Sequence, residues 1–187
     1  MGQALADFAR VLELNPKSIH AYLGRAAAWS ALNKLDKAIA EYDKALEVHP
    51  DMAEVIADRG ALLAAFGQYE KALADYNKAI RLDPDDQVTY CDLAWLLAAC
   101  PDEKLRSGKQ AVQHATKACQ LSNWKDDLCV STLAAAHAEA GDFDEAIKWQ
   151  LKAIELAPDE VKEGYQFCLE HMKKGEPCRD VPLSSEN

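Results

Sequence analysis

The stretch AEVIADRGALLAAFGQYEKALADYNKAIRLDPDD, residues 53–86, decides the fold. Apolar residues recur at helical spacing on both sides of Gly67-Gln68, so the spacing predicts one amphipathic helix over 54–66 and a second over 70–82, closed by Pro84. Gly60 is expected to face Ala72 and Ala79 and let two antiparallel helices approach closely, with Tyr69 and Tyr76 wedging the ends. A lone pair of this kind leaves its second apolar face uncovered. It needs similar neighbours on either side.

Sliding the chain against itself supplies them. Pro16, Pro50 and Pro84 are 34 residues apart, and Pro158 follows after 74, which is one unit plus a unit lengthened by six. The small residue of the first helix recurs as Ala26, Gly60, Ala94 and Ala134, and the alanine opening the second as Ala4, Ala38, Ala72, Ala111 and Ala146. Val11, Ala45, Ala79, Ala118 and Ala153 form a column near the end of each second helix, and Tyr22, Ile56, Tyr90 and Val130 one near the start of each first.

On these columns the chain resembles the tetratricopeptide repeat family, whose unit is 34 residues of helix-turn-helix with this order of small residues, aromatics and closing proline, over about nine tenths of its length. The resemblance implies an all-α fold, a right-handed α-α superhelix built as one continuous domain. Its parts would be a half-repeat with only a second helix (1–16), four units within 17–158 (19–52, 53–86, 87–126 with an insertion, and 127–158), a capping helix (159–175) and a tail (176–187) whose residues 181–187 read as disordered. Departures from the family are local. Trp29, Leu63, Leu97 and His137 fill a column where it prefers an aromatic, and Gln150 replaces the ring seen as Phe8, Tyr42 and Tyr76, which implies looser packing in the fourth unit.

Composition narrows the function. Acidic residues outnumber basic ones 31 to 21, for a formal charge of −10, which opposes binding to nucleic acid or an anionic membrane. The longest uncharged apolar run, 93–100, is far below the roughly 20 residues that span a bilayer. The opening residues read neither as a signal peptide nor as a myristoylation site, since Ala6 stands where that motif wants Ser or Thr. Six cysteines, Cys91, Cys100, Cys119, Cys129, Cys168 and Cys178, include no Cys-x-x-Cys pair and no metal-ligand spacing. Cys91, Cys119 and Cys168 fall in predicted helices and read as reduced apolar fillers, which favours a cytoplasmic, reducing setting, although the even count keeps an oxidised reading open.

Two sets of residues stand out. Arg25 and Arg59 precede the small position of their first helices, and their units carry Glu41 and Asp75 in the facing column; the units with Leu93 and Leu133 carry His114 and Trp149 there. This matching predicts half-buried structural bridges, Arg25 to Glu41 and Arg59 to Asp75. In proteins of this family the first helices line the concave surface, so the resemblance places His20, Leu23, Glu54, Ala57, Val88, Cys91, Trp95, Leu128 and Ser131 along a nearly uncharged groove. Trp95 stands where other units have Ala27, Ala61 and Ala135, so the repeat itself does not require it. Some family members clamp the C-terminal carboxylate of a chaperone with Lys, Asn and Arg. The matching positions here are Leu23, Ala27, Asp58, Val88 and Asp92, and two acids repel a carboxylate.

The third unit carries an enlarged loop, 100–108, which reads either as a tolerated insertion or as a protruding recognition loop. The five histidines are scattered, with no Ser, Cys or paired carboxylate at a spacing that builds a triad or a metal site. Asp142, Asp144 and Glu145 read as acids at a helix start. The resemblance therefore implies a non-enzymatic scaffold, without cofactor or metal, that binds another protein or peptide in its groove. Two other readings stand beside it: a structural module self-assembling through residues 4–12, and a regulatory or targeting segment of a larger protein.

Overall fold

The structure, a computed structural model, describes residues 2–179, so the tail expected over 181–187 lies outside the described residues. Among those described there are ten α-helices, one short 3-10 turn and no strand. They form two compact units, Met1–Pro84 and Asp85–Asn187.

The first unit holds α1 (Gly2–Leu14), α2 (Ile19–Ser30), α3 (Leu35–Val48), α4 (Ala53–Ala65) and α5 (Tyr69–Leu82). Helices α2 and α3 form one hairpin and α4 and α5 another, with α1 against α2 and α3 against α4. The Ser18 side chain caps α2 by accepting from the Ala21 N–H. The turn from α4 to α5 runs through Gly67 at φ +81°, where the Gln68 N–H returns to the Leu63 carbonyl and closes the helix. Ala38, Ala45, Ala72 and Ala79 are at most 2% exposed, so the alanine columns are where helices touch. The nearest side-chain neighbours of Gly60 are Tyr76 and Asp75, ahead of the Ala72 and Ala79 expected from the sequence, because the aromatic ring fills the space a Cβ would need. Phe8 does the same at Gly24, yet no residue of α1 is buried and Val11 remains 42% exposed.

The second unit holds α6 (Gln87–Ala99), α7 (Gly108–Leu121), α8 (Asp127–Glu139), α9 (Phe143–Leu156) and α10 (Asp159–Lys173). Here α6 pairs with α7 and α8 with α9; α6 and α7 both pack on α8, and α10 on α9. Helix α8 is central, with nine of its thirteen residues buried.

Two expectations are corrected in this unit, for Gln150 and Cys168, and one of the two readings of the loop, the protruding one, is disfavoured. Gln150 does not loosen it: the side chain is 0% exposed, accepts from Ser131 Oγ at 3.1 Å and donates to the Tyr165 carbonyl at 2.9 Å, so one amide ties α8, α9 and α10 together. The loop over 100–108 does not stand clear of the body. Arg106 donates to the Cys100 carbonyl and to Glu139 on α8 at 2.9 and 3.0 Å, and also pairs with Glu103 in the 3-10 turn Glu103–Leu105. Finally, Cys168 is not a reduced filler. Gly175, at φ +76°, reverses the chain after α10 and brings Cys178 back to form a disulfide, Cα to Cα 5.2 Å. That bond removes the uniformly reduced cysteines on which a cytoplasmic setting is expected.

The tie-down of the loop is testable at its end. A Cβ on Gly108 would lie 2.4 Å from the backbone nitrogen of Ala140, which cannot swing aside as a side chain would. Gly108→Ala should lower the melting temperature measured by circular dichroism, whereas Gly2→Ala, with nothing within 4 Å, should leave it unchanged.

Candidate functional site

The charged columns are built from one geometry used twice. Arg25 reaches from α2 to Glu41 on α3 at 2.8 Å, and Arg59 from α4 to Asp75 on α5 through two parallel hydrogen bonds of 2.7 and 2.8 Å. Arg59 also meets Asp43 on α3 at 2.7 Å, so it links neighbouring hairpins as well as the two helices of its own. Its guanidinium is held still more firmly protonated, chiefly by the Asp75 hydrogen bond. Glu41 is gripped by one oxygen only; its Oε2 is buried without a hydrogen-bond partner. Where the second unit substitutes apolar residues, Leu93 and Leu133 are 0 and 1% exposed. Burial there lowers the pKa of His114, whose ring lies 5.9 Å from Tyr90.

The residues expected to line a groove divide by exposure. On the first unit His20 and Glu54 are exposed, while Leu23 and Ala57 are half-buried against the cluster of Ala45, Leu46, Val55, Ile56 and Ala79. On the second unit Val88 and Leu128 are 62 and 45% exposed and Trp95 is half-buried. Cys91 and Ser131 are each 4% exposed, and each is engaged inward, Cys91 with Thr132 and Ser131 with Gln150. They pack beneath the surface instead of lining it, Cys91 against α8 and Ser131 against α9.

The sequence reading missed a second feature of this unit. The α7–α8 turn passes through Asn123 and Trp124 at φ +53° and +60°, and the Trp124 N–H closes α7 on the Cys119 carbonyl at 2.7 Å. This left-handed pair lays Trp124 on Trp149, ring centroids 5.0 Å apart and planes 19° from parallel. Beside them opens a cleft of about 440 Å³, lined also by Val130 and Leu151 and by the charged side chains of Lys148, Lys152 and Glu155. The available signal was an extra residue near Trp124 and a tryptophan in a column that elsewhere holds acid or histidine.

Hairpins in sequence order, with small residues in fixed columns, define a helical-repeat protein. Tetratricopeptide repeat models match residues 1–58, 53–86 and 129–160. The chain belongs to the tetratricopeptide repeat family, and its all-α hairpin architecture is that of the family's solenoids. Solved structures agree. YrrB, described as a TPR protein with an unusual peptide-binding site, is 25% identical at a TM-score of 0.69, covering 89% of this chain and 83% of its own. A tetratricopeptide repeat protein from Parabacteroides merdae reaches a TM-score of 0.78 at 21% identity, covering 92% of this chain and 66% of its own. Yeast Tom70 is 25% identical at a TM-score of 0.72, with 97% of this chain covering 38% of that one. Among curated proteins no relative matches the chain. No described helix is long and apolar enough to cross a membrane.

Two measurements test this chemistry. Asp75→Ala should lower the melting temperature more than Glu41→Ala, because it breaks a two-pronged grip, and both should exceed Glu47→Ala on the exposed face; the loss is about 1–3 kcal/mol for a pair whose arginine stays 24% exposed. Burial pushes the Cys119 thiol up to about 12, and a hydrogen bond with Cys91 followed by burial raises that of Cys129. Cys91, Cys100, Cys119 and Cys129 are all buried, so a thiol reagent should find almost none in the native chain and four on unfolding without reductant.

Proposed function

We propose that this chain is a protein-interaction scaffold that holds a partner polypeptide against the exposed faces of its first helices. One observation carries the reading: Val88 and Leu128 occupy the same position on the neighbouring helices α6 and α8, and both large apolar side chains are bare to water at 62 and 45%. Trp95 lies two turns along α6, and His20, Leu23, Glu54 and Ala57 hold the corresponding positions on α2 and α4. Cys91 and Ser131 support this surface from beneath. Such a surface suits an extended or helical segment that presents apolar side chains. Membership of a family whose repeats bind proteins and peptides supports the reading, as does the likeness to YrrB, described by its peptide-binding site. A second reading, self-association through residues 4–12, draws on α1, whose Val11 is bare where Ala45 and Ala79 of the same column are covered.

Two experiments separate the readings. In a crosslinking pull-down, a partner retained by the wild type should be lost on Val88→Asp with Leu128→Asp; unchanged capture would remove the first-helix surface from the account. Light scattering over a concentration series, with and without residues 1–16, should show a monomer throughout if the scaffold reading holds alone. Concentration-dependent growth that needs residues 1–16 would favour self-association.

A further inference from the structure

The cleft between Trp124 and α9 is built from residues the repeat does not need. Counting from the alanine that opens each second helix, Trp149 stands in the column of Glu41, Asp75 and His114, and Leu151 in that of Asp43, Asn77 and Thr116. Only the fourth unit turns both positions apolar, and it leaves Leu151 48% exposed. The indole stacked on Trp149 comes from a turn that places two non-glycine residues in the left-handed region, a conformation that side chains resist. Trp124 is nevertheless 36% exposed, so this geometry presents the ring to solvent instead of burying it. Rigid indoles beside aliphatic side chains, here Val130 and Leu151, suit an anchoring side chain from another polypeptide.

The rim selects the charge of that polypeptide. Lys148 and Lys152 sit one helical turn apart on the same side of the opening, in a chain whose net charge is −10. Their ion pairs are made three residues away on the same helix, Lys148 with both oxygens of the half-buried Glu145 and Lys152 with one of the exposed Glu155, at 2.9 Å each. Surface pairs of this kind contribute little and exchange readily. A carboxylate arriving beside an apolar anchor can therefore take up both ammonium groups, and because the two lysines outnumber the single acid of the rim, Glu155, a basic segment is the weaker match.

We propose that this cleft is a second docking site, for a peptide segment that inserts a leucine or phenylalanine against Trp149 and Leu151 and sets an adjacent aspartate or glutamate on Lys148 and Lys152. The site lies on a second helix and the turn before α8, within one unit, and does not depend on the first-helix surface.

The test uses the full chain and three synthetic ten-residue peptides: one with Leu-Phe flanked by Asp and Glu, one with Lys in place of the acids, and one with Ala in place of Leu-Phe. Fluorescence polarisation should show the first peptide binding, with the other two weaker by roughly tenfold or more. Its binding should weaken as salt rises, and the indole N–H signals of Trp124 and Trp149 should shift in NMR spectra. Leu151→Asn, which restores the residue of the second unit, and Lys152→Glu should each cost roughly tenfold in affinity while the melting temperature holds. Val88→Asp with Leu128→Asp should leave this binding intact. Equal affinity for the basic peptide, insensitivity to Leu151→Asn, or loss through the first-helix variants alone would overturn the proposal; the last result would leave the scaffold reading standing. Absence of binding would overturn it too, as would binding that emerges only when residues 180–187 are deleted, because the occupant would then be the chain's own tail.

Discussion

Close approach of antiparallel helices is the constraint on which everything else rests. A helix pair can bury both flanks only if its axes come near enough for side chains to interlock, and that distance is set by the smallest residues at the crossing. Ala26, Ala94 and Ala134 on first helices, and Ala38, Ala72, Ala111 and Ala146 on second ones, are all 0% exposed. Each is surrounded by the facing helix, so a larger residue in these columns would push apart a hairpin and the hairpin stacked on it. Aromatic rings then fill what the small residues leave open, as Tyr76 does at Gly60 and Phe8 at Gly24. The exposed surfaces of the first helices exist because the opposite faces are committed to this packing.

How much of this was readable from the sequence follows from how local each signal is. Hairpins, turn glycines and the Arg–carboxylate columns recur at fixed spacing, so comparison of the chain with itself exposes them: Arg25 and Glu41, 2.8 Å apart, are paired by column alone. The second partner of Arg59, Asp43, belongs to the preceding hairpin, and spacing within a unit says nothing of it. Features that occur once leave no echo to compare. Gln150 read as a lost aromatic, when its amide has become a three-helix hydrogen-bonding node. Cys168 read as a filler because nothing in its helix announces that Gly175 will fold Cys178 back onto it. For the groove residues the face was readable but not the depth: Cys91 and Ser131 share a column with Leu23 and Ala57, and their burial goes with contacts to other helices, Cys91 with Thr132 of α8 and Ser131 with Gln150 of α9.

One column separates the two compact units chemically, and the separation bears on function. In the first unit it carries arginine against a carboxylate. The guanidinium must keep some contact with water to offset the cost of burying charge, and Arg25 and Arg59 indeed stay 24% exposed at the side chain. The second unit replaces this with Leu93 facing His114 and Leu133 facing Trp149, and both leucines vanish from the surface. With no ion pair to hydrate, the residue on the second helix is released from matching a charge and can be chosen for its outer edge. At Trp149 that choice is an indole that packs against the buried cluster of Ala134, Ala138 and Ala146 and also stacks on Trp124. The same substitution that removes the ion pair from the fourth unit therefore furnishes an aromatic wall outside it, and a repeat that elsewhere shows water a row of polar side chains shows a cleft there instead.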